Sequence, residues 1–203
     1  MTKPFLLNED QRDCLQELSN IAMGQAASLL ARLLNVFVEL PIPRVNIIEI
    51  TDLHMALQAL DGGERSSAVC QGFAGSGVTG EAMLIFNDSS FDDVAGLMDY
   101  QGQQSEDIEI ELLMDVANIL IGAFIKKFSE QADLNFSQGH PTVLGQHQPI
   151  RDLLRPTAHS WHKTLSIEIS YNIENHNIHC DLLVLFTEES LPVLQKKIEY
   201  LLD

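Results

Sequence analysis

A frame of two acids, an asparagine and a proline occurs twice, about a hundred residues apart, and this repetition restricts the chain to folds built from two similar halves. The first copy is Asp13, Glu17, Asn20 and Pro43; the second is Glu111, Asp115, Asn118 and Pro141, with the same internal spacing. With 29 acids, 10 Asn and 7 Pro in 203 residues, one such frame arises by chance at roughly one start position in 3×10^4. Two copies record a tandem duplication. The likeness runs on beyond the frame: Asn20-Ile21-Ala22-Met23-Gly24 returns as Asn118-Ile119-Leu120-Ile121-Gly122, and Leu84-Ile85-Phe86 with Ser90 returns as Val184-Leu185-Phe186 with Ser190. A period this long is not a solenoid. It predicts one domain made of two repeats, about 8–100 and 106–203, sharing a core around an approximate two-fold axis.

Hydrophobic periodicity predicts the same element order in each half. Leu15, Leu18, Ala22, Leu29 and Leu33 form a helical stripe between Asn8 and Asn35. Strands are expected over Arg44–Ile50, Ser66–Ala74 and Thr79–Phe86, the last two joined by the turn Gly75-Ser76-Gly77, with a short helix over Ser90–Tyr100. In the second half a helix is expected over Glu106–Ser129, a strand after Pro141, a strand pair over Thr164–Tyr171 and Ile178–Phe186, and a helix from Ser190 onward. Residues Gly102 to Ser105 read as the linker between repeats. Helix followed by strands in each half predicts an α+β fold, a mostly antiparallel sheet covered by two long motif-bearing helices.

Composition excludes several function classes. Against 29 acids stand 12 Lys and Arg, for a formal charge of −17; nucleic-acid binding relies on cations displacing counterions from phosphates, so neither nucleic acid nor an anionic membrane is an expected partner. No apolar run reaches the length that spans a bilayer, and the amino terminus lacks a signal-peptide apolar region, which predicts a cytoplasmic protein. Cys14, Cys70 and Cys180 are odd in number and widely spaced, as reduced thiols are.

On a helix, positions 13, 17, 20 and 24 fall within about 60° of one another, roughly opposite the apolar stripe. Burial of the apolar side therefore turns Asp13, Glu17, Asn20 and Gly24 outward. Glycine in mid-helix costs about 1 kcal/mol relative to alanine, which suits a place where another molecule approaches the backbone. The stripe has no nucleophile with its base, no metal set and no phosphate-cradling loop, so a partner must complete any chemistry. A carboxamide can hold a water for in-line attack on phosphorus, accepting with its C=O and donating with its NH2. A carboxylate beside it can pair with a partner's lysine. The alternative is an ordinary solvated helix face, which the repetition of glutamate or aspartate, asparagine and glycine disfavours.

The duplicated frame and the length resemble the CheC-type phosphatases of bacterial chemotaxis, which share the motif with CheX and FliY. Two motif copies are the CheC pattern. The resemblance implies hydrolysis of the aspartyl phosphate of a CheY-type response regulator. Glu17 and Asn20 in the first repeat, and Asp115 and Asn118 in the second, would be the site residues: the asparagine orients water and the acid pairs with the regulator's lysine. It implies no cofactor of the protein's own, since the phosphorylated regulator supplies Mg2+, and adds the deamidase CheD as a further partner. A binding module of the same fold, docking a receiver, CheD or a flagellar-switch component without turnover, is the alternative. The oligomeric state stays open. Asp115 departs from the motif, which has glutamate there; losing one methylene shortens reach by ~1.5 Å. The first site is therefore expected to dominate. Met114, Ile121 and Ile125 flank the second stripe and suggest a face covered by a partner or a second copy.

Two further signals are weaker. His159, His162, His176 and His179 invite a zinc hypothesis, but i, i+3 spacing on a strand sends side chains to opposite faces, and solvated hairpin histidines are the better reading. Trp161 beside them is expected to pack. Gly72, Gly75, Gly77 and Gly80 read as a hairpin rather than a phosphate loop, because no Gly-Lys-Ser/Thr element follows.

Overall fold

The computed structural model describes residues 7–49, 52, 65–100, 105–153 and 162–202. The first repeat opens with α1 (Glu9–Leu34), whose start is set by a capping box: the Asn8 side chain accepts from the Gln11 N–H at 2.8 Å and the Gln11 side chain accepts from the Asn8 N–H at 3.1 Å. Asn35, in the left-handed region at φ 53°, stops it. There follow β1 (Val38–Glu39), β2 (Arg44–Glu49), β3 (Ser66–Gly75), β4 (Val78–Asn87) and, after a 3-10 turn, α2 (Phe91–Leu97). The second repeat runs α3 (Glu106–Gln131), β5 (Ser137–Gln138), β6 (Thr142–Gln148), α4 (Ile150–Leu153), β7 (Lys163–Ile173), β8 (Ile178–Phe186), a 3-10 turn and α5 (Leu191–Leu202). The fold is α+β, with a fully antiparallel sheet among the described strands.

The sheet order is β1-β7-β8-β4-β3-β5, with β2 also on β7 and β6 also on β3. Exchanging each strand for its counterpart in the other repeat reverses this order onto itself. The central ladder between β4 and β8 obeys the same symmetry: Met83 faces Leu183 at its middle, and the Gly80–Phe186 pair mirrors Phe86–Cys180. The repeats are interleaved, since β1 and β2 pair with β7 of the second repeat, while β5 and β6 pair with β3 of the first.

Helices α1 and α3 pack on each other and close one face of the sheet over the main core. Each buries two adjacent rows of side chains spaced four apart: Gln11, Leu15, Ser19, Met23 and Ala27 beside Leu18, Ala22, Ala26, Leu30 and Leu34 on α1; Leu112, Val116, Leu120, Phe124 and Phe128 beside Leu113, Ala117, Ile121, Ile125 and Ser129 on α3. Rows of this kind interdigitate between crossing helices. They also correct the expected stripe. Leu29 is half-buried and Leu33 is 41% exposed, because a row of fours drifts around the helix and brings Leu30 and Leu34 to the interface instead. A smaller cluster on the opposite face gathers Ala68, Met83, Ile85, Leu183 and Leu185 under Ile150 and Leu153 of α4.

The β3–β4 hairpin has the expected turn, a two-residue loop with φ 51° at Ser76 and φ 77° at Gly77. Positive φ at both positions matches the twist of the flanking strands. The short helix ends at Leu97 rather than Tyr100. The two-residue strands β1 and β5 and the helix α4 carry no periodicity that could announce them. Trp161, His159 and linker residues 102–104 lie outside the described residues.

Candidate functional site

Asp13, Glu17 and Asn20 project from α1 as exposed side chains, and Gly24 behind them is half-buried. None of the three side chains has a hydrogen bond or ion pair among the described residues. They line an open groove of about 310 Å³ together with Gln16 and Ile42. The wall is set by the motif proline's segment: the Gln16 side-chain amide donates to the Pro43 carbonyl at 3.0 Å, drawing the chain before β2 alongside the helix. Four members of the first frame and its glycine thus meet along one side of α1. A Cβ built on Gly24 would meet nothing within 4 Å. The protein's own packing leaves room for a side chain there, so the glycine answers to no internal contact.

The second stripe, on α3, is more engaged with its own chain. Asn118 and Glu111 are exposed and Asp115 is half-buried. The Tyr100 hydroxyl donates to Glu111 at 3.3 Å. That carboxylate's charge, then the loss of solvent, the hydrogen bond itself and the charge of Asp115 all push the phenol's pKa up, so it stays a donor. On the other side of Asn118, the Gln138 side-chain amide donates to the Gly122 carbonyl at 3.4 Å. The flanking residues differ from expectation: Ile121 and Ile125 are fully buried and Met114 packs against the main core. The apolar flank is therefore covered by the chain itself, because Ile121 and Ile125 belong to the second inward-facing row of α3.

Gln16 and Ile42 are the groove residues that sequence reasoning missed. Gln16 lies on the edge of the polar stripe and could have been found by widening it; Ile42 joins only through the fold. The histidines of the zinc hypothesis do not assemble a metal set among the described residues. His176 sits in the β7–β8 turn, and His179 bonds Asn172 at 2.5 Å and Asp181 at 3.2 Å. Burial raises the Cys70 thiol to about 12, with Glu81 adding to the shift, and raises Cys180 as well, so both stay protonated. No described helix is long and apolar enough to cross a membrane.

No protein-family model and no curated protein matches the sequence. Solved structures do. Thermotoga maritima FliY superposes with a TM-score of 0.72 at 16% identity, covering 97% of this chain and 99% of that one. The chain has the CheC-like fold. CheX from Vibrio vulnificus matches at 0.57 and 11% identity over 84% of this chain and 99% of its own. The FliM middle domain from H. pylori matches at 0.60 and 13% identity over 94% and 99%. In this CheC-like chain the duplicated motif helices lie side by side on one face of the sheet, which accounts for two stripes rather than one.

Proposed function

We propose that this protein hydrolyses the aspartyl phosphate of a CheY-type receiver domain, chiefly at the α1 groove. The observation that carries the reading is the exposed, unpartnered Glu17–Asn20 pair in an open groove. Asn20 holds a water in line with the phosphoryl group, and Glu17 pairs with the receiver's lysine to fix the amide in register. The water oxygen bonds to phosphorus as the bond to the aspartyl oxygen breaks; the electron pair leaves on the carboxylate, and a water proton ends on the phosphate. Mg2+ belongs to the phosphorylated receiver and balances charge there.

The rim favours α1 over α3 as the docking face. Phe37, Leu40 and Ile42 are exposed to 68%, 42% and 76%, and their counterparts in the second repeat are Asn135, Gln138 and His140. Among the described residues, Ile42 gives the α1 groove an apolar wall beside its carboxylates where the second repeat has His140, which suits a partner surface presenting a cation next to an apolar side chain.

A docking module without turnover is the second reading, favoured by the same fold in the FliM middle domain, a protein also solved in complex with SpeE. Phosphate release from a phosphorylated receiver, set beside co-elution with it, separates the two. Faster release with the protein present supports hydrolysis; co-elution with no change in the decay of the phosphoryl group supports docking alone.

A further inference from the structure

His147 ends the irregular part of β6. Between Ser66 and Ala68 on β3, the partner positions on β6 run from Gln148 to Gly145, so β6 carries one extra residue, and His147 sits in this bulge at φ 52°. A bulge of this kind re-aims a side chain, and a left-handed histidine costs free energy that its contacts must offset. The contacts are two carboxylates. Nδ1 lies 2.8 Å from Asp88 in the 3-10 turn after β4, and Nε2 lies 2.9 Å from Glu109 in the first turn of α3. The His147 N–H donates to the Ser67 hydroxyl at 3.3 Å, the hydroxyl donates to the other Asp88 oxygen at 3.1 Å, and Phe91 of α2 sets its ring edge against the imidazole.

A neutral imidazole has one N–H and one lone pair. With an ionised carboxylate at hydrogen-bonding distance on each nitrogen, a neutral ring would turn its lone pair onto one of them. Only the imidazolium satisfies both. We propose that His147 is a pH-sensitive clamp on the second motif helix: protonated, it ties the first turn of α3 to the corner after β4, and neutral, it releases one of the two carboxylates.

Several features make the clamp matter at this helix. The Ser105 cap accepts from Ile108 at only 3.4 Å, whereas α1 has a full capping box. The corresponding positions in the first repeat are Glu49 for His147 and Gln11 for Glu109, so α1 has no such device. The groups whose charge acts on the ring are Asp88 from the turn and Glu109 from α3, both acidic. The Asp88 hydrogen bond, followed by the charges of Asp88 and Glu109, outweighs burial and raises the His147 pKa. A raised folded pKa means that the stabilisation is complete below the ordinary histidine value and is lost as pH rises through the folded one.

The test follows the His147 ring by NMR from about pH 5.5 to about pH 9, with hydrogen exchange of the first turns of α3 and α1 measured alongside. His147 is expected to titrate above the ordinary histidine value, and protection at the start of α3, corrected for intrinsic exchange, to fall severalfold as the ring loses its proton, while α1 stays level. Glu109→Gln should lower the His147 pKa and flatten the pH dependence at α3, as should His147→Gln if that variant folds. A His147 ring titrating at or below the ordinary value in the wild-type protein overturns the clamp, and so does α3 protection that is indifferent to pH.

Discussion

Asn20 stands exposed on α1 with no side-chain partner of its own among the described residues, so its removal costs the fold little. We predict that Asn20→Ala slows dephosphorylation of the receiver by about 10^2-fold, the size of a lost positioning contact, with an unchanged melting temperature. Asn118→Ala should slow it less, since the Asp115 carboxylate is shorter and its stripe is partly engaged by Tyr100 and Gln138. Decay of receiver phosphate measured for both variants decides this; a larger loss from Asn118→Ala makes α3 the principal face. Gly24 gives a sharper test. Its Cβ space is open, so Gly24→Ala should stabilise the helix by up to ~1 kcal/mol in thermal melts. If a partner lies against that backbone, the same variant weakens receiver binding. A gain in stability with binding untouched would show that the bare patch has no docking role.

At the scale of elements, the helix pair is read through rows of fours, and single substitutions distinguish that register from a simple stripe. Leu30→Ala, at a fully buried row position, should cost ~2–5 kcal/mol in chemical denaturation. Leu33→Ala, at a position that periodicity put in the core but the fold leaves exposed, should cost no more than about 0.5 kcal/mol. Comparable losses from the two would restore the stripe. Strand β4 has its own constraint at Gly80, where an added Cβ would run into the Leu185 carbonyl on β8 and the Phe73 ring. Gly80→Ala should destabilise by ~1–3 kcal/mol, because two paired backbones and an aromatic ring cannot all give way. The sequence showed the long helices and hairpins, whose apolar periods run for many residues. It did not show β1, β5 or α4, which are too short to carry a period and exist because a neighbouring strand or core cluster receives them.

For the molecule as a whole, interleaving governs stability. Among the described strands, the two that come directly after each motif helix pair only with the other repeat, so a separated half leaves them without these hydrogen-bond partners and uncovers the helix pair. Residues 7–100 or 105–202 expressed alone should be unfolded or self-associated by circular dichroism and sedimentation, and a folded monomer of either would contradict the interleaved core.

The sequence by itself determined the duplication, the α+β class, the helices that carry the motifs and the outward orientation of Glu17 and Asn20, since all of these follow from local spacing along one helix or one repeat. Tertiary structure decided the rest. The groove needs Ile42 and the Pro43 carbonyl brought against α1, and the α3 flank is buried because that helix is packed by its neighbour and the sheet. Asp88, Glu109 and His147 are distant along the chain and share no motif; a bulge, a turn and a helix start bring them together. Short-range order is written in the period of side chains, whereas contact between distant segments depends on how two twisted, interleaved repeats close on one core.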